Sequence, residues 1–452
     1  MMRRHSCAMW IAFLSVCSLA ERLYSGNGAA PLSAWDAIAA EAAAAPPTGY
    51  SHAKAALEMR PIWQAYYQKF ADWKPPVPPA PPEGKLSGLV GTPTEPRFPL
   101  TEKVWPAKPG EASVCLWEDD KLAAASFSID DNNASDVPSW EEISRKYGGL
   151  KITWFLISGN IGGAIVPGRI SSAGKWEMWQ RLLGEGYQFG SHSVTHVGNP
   201  VLEDGWPGPD WECAESKAQL DAGLTGQRTK IFARPGSATK AFNMSQEWRP
   251  SIEKYYAAAR GGSGVPINKA NMTDYFDIRT TANPLTMVSD EPQKDGWHLG
   301  DLFKPESKYY RGWATVFIHN INGGPDLENN PSPTTASFAK VFDFYNSHPA
   351  DLWVGFLADV ALYGQERDTA TLTTDAADPA RIVLSLTSKM DPAVFDYPLT
   401  VKVRLFDGWK SVEATQNGNV VPAEFLMHEG APYALVKAAP DKGQVVLSPG
   451  SP

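Results

Sequence analysis

No apolar run in this 452-residue chain reaches the roughly 18 residues needed to cross a bilayer as a helix, so no integral membrane span is expected. Cysteine is scarce. Of the four, Cys7 and Cys17 lie in the first segment, which leaves Cys115 and Cys213. Two cysteines cannot staple a small disulfide scaffold, and they read equally as one pair or as two separate buried thiols. An excess of basic charge is missing as well: 41 Lys and Arg stand against 50 Asp and Glu, for a net −9. Nucleic acid and anionic lipid surfaces are therefore not expected partners. Several catalytic signatures are also lacking. Gly261-Gly262-Ser263-Gly264-Val265 comes nearest to a serine-hydrolase elbow and lacks its last glycine. The stretch from Gly168 to Gly174-Lys175 has the wrong spacing for a phosphate loop and is followed by Trp176. No repeat of fixed period occurs.

What is present fits a folded, exported protein of two or three units. Hydrophobic residues make up 43% and charged residues 20%, which excludes a disordered chain. Arg3 and Arg4 precede an apolar run over 7–19, and Ser18-Leu19-Ala20 offers a small-residue cleavage site, so residues 1–20 read as a signal peptide. Val16 fits a lipoprotein box before Cys17 poorly, so a lipid anchor is not expected, and the destination is the cell envelope or the exterior. Residues 21–110 read as an extension with helical stretches over 35–44 and 52–73, the second interrupted at Pro61, followed by a polyproline tether over 75–82. From 111 to 368 short apolar runs (123–129, 150–157, 230–233, 315–318 and 352–356) alternate with helical patterns (176–184, 211–224, 337–347 and 357–367). That alternation is the mark of parallel β/α units, and the length suits a barrel. From 369 to 452 strand patterns follow with no helix between them (381–387, 399–406, 420–428, 433–438 and 444–447), which reads as a small antiparallel β-sandwich. Residues 375–379 read as its entry turn and Glu429-Gly430 as a hairpin turn.

Chemistry-bearing residues cluster where barrel strands end. Phe127-Ser128-Ile129-Asp130-Asp131-Asn132 puts two carboxylates at one strand exit, where one can ligate a metal and the other accept a proton. Gly190-Ser191-His192-Ser193-Val194-Thr195-His196 follows another strand, and two imidazoles at i, i+4 face one ion if the stretch curls into a helical turn. It lacks the glutamate of the HExxH proteases. Phe232-Ala233-Arg234-Pro235-Gly236-Ser237 sets an arginine before a turn, where its fork can hold a carboxylate. Val316-Phe317-Ile318-His319-Asn320 closes a late strand with a lone histidine. Each of these alone has an ordinary reading as a polar turn or a satisfied core residue.

Together, and in this order, the four motifs resemble the polysaccharide deacetylase family, the NodB-homology carbohydrate esterases, over roughly residues 123–364. The resemblance implies an irregular (β/α) barrel that removes N- or O-linked acetyl groups from a polysaccharide or oligosaccharide with one divalent metal ion, most often zinc. It implies Asp131, His192 and His196 as metal ligands, Asp130 as general base and Arg234 as the group that orients it. His319 would be the acid that protonates the leaving amine or alcohol. The backbone N–H of Ser237 would face the oxyanion, and Phe317, which stands where the family has a leucine, would line the acetyl pocket. The family's fourth motif, an Asp and a Trp bracing the arginine, has no clear match, although Arg260, Asp274 and Asp277 lie in the right interval. The alternative is a non-catalytic carbohydrate-binding protein on the same barrel. A base, its orienter and an acid weigh against it, because binding alone requires none of them. The C-terminal sandwich reads as a structural brace rather than a sugar-binding module. Among its aromatics (Phe395, Tyr397, Phe406, Trp409, Phe425 and Tyr433), Trp409 is the best candidate for exposure.

Overall fold

A computed structural model describes residues 39, 43, 52–163, 173–196, 205–235, 248–262, 264–281, 297–319 and 335–450. Residues 1–20, which read as a signal peptide, and Ser237 lie outside the described residues. The chain divides into two units: residues 1–73 with 200–207, and residues 74–199 with 208–452. In the first, helix α1 (His52–Tyr67) runs through Pro61 instead of stopping there, and a 3₁₀ turn (Gln68–Phe70) follows it. The strong helix formers Ala55, Ala56, Leu57, Glu58 and Met59 precede the proline and offset its lost hydrogen bond.

The second unit is built on a nearly closed, barrel-like sheet that is mostly parallel. Its strands are β2 (Ala123–Asp130), β3 (Ile152–Leu156), β4 (Gln188–Ser191), β5 (Ile231–Ala233), β6 (Ala258–Gly262), β7 (Ile267–Asn268), β8 (Ile278–Arg279), β9 (Trp313–Ile318) and β10 (Leu352–Val354). They lie in the order β7-β9-β2-β3-β4-β5-β6-β8, with β10 also on β2. A bridge from Thr281 to Val316, with the Phe317 N–H donating to Thr281 O at 3.0 Å, joins the β8 end back to β9. Every residue of β2 is buried, which explains why it reads as a continuous run instead of an alternation. Helices α2 (Val137–Lys146), α3 (Trp176–Gly184), α4 (Pro209–Gly223), α5 (Arg249–Tyr255), α6 (Thr335–Ser347) and α7 (Leu357–Thr369) connect the strands. Val137, Trp140 and Ile143 on α2 and Trp179 and Leu182 on α3 recur at helical spacing and are buried in the same core as Phe127, Trp154 and Phe189.

The remaining strands form two antiparallel sheets. One has the order β1-β13-β17-β16, from β1 (Ala112–Val114), β13 (Leu399–Arg404), β16 (Ala423–His428) and β17 (Ala431–Ala438). The other has the order β11-β12-β18-β14-β15, from β11 (Thr371–Asp378), β12 (Arg381–Thr387), β14 (Val412–Gln416), β15 (Asn419–Val420) and β18 (Val445–Pro449). Val401, Val403 and Val436 from one sheet and Ile382, Leu384 and Leu447 from the other share a cluster with Trp353, Leu357 and Tyr363. Glu429 and Gly430 turn with φ of 48° and 78° and join His428 to its partner Ala431, a two-residue hairpin of the expected kind.

Four local features stand out, two of them at odds with the sequence reading. β1 precedes the barrel strands in sequence yet pairs with β13. Residues 375–378 lie in strand β11, not in a turn. β13 is buried on both faces: Lys402 is fully covered, its ammonium 2.7 Å from Asp120 and 3.6 Å from the Trp105 ring centroid. Trp409 is buried, with its Nε1 donating to Pro379 O at 2.9 Å. Cys115 and Cys213 are separate buried thiols.

Candidate metal and catalytic site

All the described candidate residues sit at the carboxyl ends of barrel strands, the end at which parallel barrels carry their chemistry. Asp130 is the last residue of β2, Asp131 follows it, His192 follows β4, and His319 follows β9. Asp131 leaves β2 with φ of 66°, a conformation disfavoured for a residue with a Cβ. Trp154 Nε1 donates to Asp131 O at 2.6 Å, and the Asn132 side chain exchanges two hydrogen bonds with the Ile157 backbone, at 2.7 and 3.0 Å. These bonds hold the strand exit in place from the neighbouring strand.

The histidine stretch does not form a helical turn. Ser193 and His196 both have positive φ (69° and 53°), which a right-handed helical turn does not contain. The compensation comes from Glu212 on α4. Its buried carboxylate accepts from the Val194 and Thr195 N–H groups at 2.9 and 3.0 Å and from the Thr195 hydroxyl. Ser193 Oγ accepts from the His196 N–H at 2.9 Å. This arrangement brings the two rings to a centroid distance of 4.5 Å.

Asp131, His192 and His196 offer ligand atoms that all lie within 4.8 Å of one another. His192 Nε2 is 3.9 Å and His196 Nε2 is 3.7 Å from Asp131 Oδ1. Those separations are too long for hydrogen bonds. They suit a shared ion, because ligands about 2.1 Å from a tetrahedral centre stand about 3.4 Å apart. His192 Nδ1 lies 2.8 Å from Ala233 O and donates to it, which fixes the tautomer with a bare Nε2 toward Asp131. Burial holds the His192 imidazole down to about 4, so it is neutral, as a ligand must be. The donor set fits a divalent cation.

Asp130 is buried beside this cluster, with Oδ2 3.8 Å from His192 Nε2. Its other oxygen, Oδ1, accepts from Arg260 Nη2, not from the expected Arg234. Arg234 pairs with Asp277 instead, so of the three open candidates Asp277 is the brace of that arginine. Asp274 binds Arg249, at 2.8 and 3.0 Å. Burial pulls the Arg234 guanidinium down to about 10, still charged at neutral pH. The strand register fits the exchange: Ala233 pairs with Arg260 across β5 and β6, so the side chain of 260 shares a face with 233 and not with 234. His319 has its backbone O bound by Asn133 Nδ2 at 2.6 Å and its ring edge-on to Phe317 at 5.4 Å. Phe317 also lies 4.3 Å from the Arg260 guanidinium. Glu212 was not foreseen; its one signal is a carboxylate among the apolar Trp211, Cys213 and Ala214 at a helix start.

No protein-family model matches the chain. It is 33% identical over 358 residues to a Bacillus sp. protein named gellan lyase, an alignment that covers 76% of this chain and 14% of that one. The chain thus spans about one seventh of that relative's length. Matched solved structures include a family 4 carbohydrate esterase pseudoenzyme of Bacillus anthracis (15% identity, 53% of this chain and 66% of that one, TM-score 0.31). A cobalt-bound family 4 acetyl xylan esterase of Clostridium thermocellum (14%, 52% and 89%, TM-score 0.28) also matches. So does a peptidoglycan deacetylase of Bacillus subtilis (16%, 53% and 90%, TM-score 0.29).

Proposed function

We propose that this chain is an exported, metal-dependent hydrolase that removes acetyl groups from a polysaccharide. The observation that carries the reading is the convergence of Asp131, His192 and His196 on one point beside the buried Asp130. A divalent ion held there supplies Lewis acidity to the acetyl carbonyl and to the attacking water. Asp130, held at Oδ1, has Oδ2 free to accept the proton of that water. His319 donates a proton to the departing amine or alcohol, so the products are acetate and the free sugar. The burial around His192 and Asp130 keeps bulk water from competing for these protons. The motif resemblance supports zinc as the metal, the leader supports export, and the two antiparallel sheets read as a brace.

The test has two arms. The purified protein is expected to hold about one divalent ion per chain, and Asp131→Ala and His192→Ala to lose it, since a three-ligand site tolerates little loss. Undiminished metal in both variants would refute the site. Acetate release is then measured on acetylated chitin fragments, peptidoglycan, xylan and pectin, and on gellan, for which the Bacillus relative is named. Metal retention without acetate release from any of them would favour the non-catalytic, carbohydrate-binding reading.

A further inference from the structure

Two adjacent residues of β6 divide what the motif resemblance gives to Arg234 alone. Arg260 is almost fully buried and donates through Nη2 to Asp130 Oδ1. Its guanidinium lies 4.3 Å from the ring centroid of Phe317 on β9 and 5.0 Å from that of Phe155 on β3. Both rings lie within cation–π reach of the guanidinium, and together they fix the plane of the fork. Gly261 follows with φ of 153°, and a Cβ there would strike the Arg234 side chain. That opening lets Arg234 pass across β6 to Asp277 while its own N–H donates to Arg260 O at 2.9 Å.

We propose that Arg260, seated against Phe317 and Phe155, is the positioning residue for Asp130, and that Arg234 with Asp277 forms a separate couple. Arg260 occupies Oδ1 and so leaves Oδ2, on the side of His192, as the oxygen that takes the proton. The phenylalanine at 317, where the resembled family has a leucine, is then the aromatic seat of this arginine rather than a wall of the acetyl pocket. Arg260's effect on catalysis rests on the deacetylase reading; its coupling to Asp130 does not.

The experiment therefore reads both. Unfolding midpoints of the full chain are measured in two double-mutant cycles, Arg260→Met with Asp130→Asn and Arg234→Met with Asp130→Asn. Arg260→Lys replaces Arg260→Met if the latter is insoluble. Non-additive shifts are expected in the first cycle and additive ones in the second, and the reverse pattern would overturn the proposal. On whichever substrate releases acetate, Arg260→Met should lower kcat by at least about tenfold with KM nearly unchanged. Arg260→Lys and Phe317→Leu should fall between that variant and the wild type. An Arg260→Met enzyme with unchanged kcat would equally overturn the proposal. If the wild type releases no acetate at all, the deacetylase reading fails, and the cycles still decide which arginine holds Asp130.

Discussion

Asp130 and Asp131 are joined by one peptide bond and live in different surroundings. Asp130 ends a fully buried strand and faces a guanidinium, whereas Asp131 turns through positive φ toward two imidazoles. On the proposed reading, the carboxylate with one oxygen held by an arginine takes the proton at its other oxygen, and the one aimed at the two imidazoles ligates the ion. Hence Asp130→Asn and His319→Ala are expected to keep the metal while acetate release falls by about 10²-fold or more. Near-native turnover in either variant would remove that residue from the mechanism, and metal loss in Asp130→Asn would show that the two carboxylates do not divide their roles. The Asp pair and the two histidines were legible in the sequence because each motif lies within a few consecutive residues. The identity of the arginine on Asp130 was not, because it depends on the pairing of β5 with β6, and both Arg234 and Arg260 are long enough to reach inward.

Among the elements, the strands with long apolar runs and the helices with clear periodicity were readable; α3 and β12 fall where the pattern placed them. The short ones were not. β6 is Ala-Ala-Arg-Gly-Gly and β8 has two residues, so neither carries a hydrophobic period, and both exist through pairing with neighbours. Helix α7 hides a further feature. Glu366 is buried there, and no side chain among the described residues hydrogen-bonds its carboxylate. Burial, and then the nearby Asp396, push its carboxyl up to about 9 from 4.5. The folded chain thus holds a proton that the unfolded chain releases above about 4.5. The stabilising contribution is complete below that pH and is lost as pH rises toward 9. Glu366→Gln, which keeps the shape and cannot ionise, is expected to flatten the fall of the unfolding midpoint between pH 5 and about 9. Parallel pH profiles for wild type and Glu366→Gln would show that Glu366 is not protonated in the fold.

For the whole molecule, the question is what the two antiparallel sheets contribute. A sugar-binding module needs exposed rings on one face, where stacking supplies affinity. Here Phe395, Trp409 and Tyr433 are buried, and Tyr397, Phe406 and Phe425 pack partly against the shared core. The ties to the barrel strands are extensive and of mixed kind. Trp353, Leu357, Ala361 and Tyr363 join the same cluster as Val401, Val436 and Leu447. β1 completes the β13 sheet, Lys402 pairs with Asp120 at 2.7 Å, and Lys437 reaches Glu118 at 2.6 Å. Ending the chain after Asp368 would leave β1 without a partner, expose those apolar side chains as one patch and uncover Asp120 and Glu118. Exposed patches of this kind drive association, and an unpaired strand edge adds to it. The truncated chain is therefore expected to be insoluble, or to unfold at a clearly lower temperature than the full chain, with acetate release lost in proportion to the folded fraction. Thermal unfolding and activity measured on both chains check this. A truncated chain that melts and turns over like the parent, and differs only in failing to sediment with insoluble polysaccharide, would show that the sheets bind sugar instead of bracing the barrel.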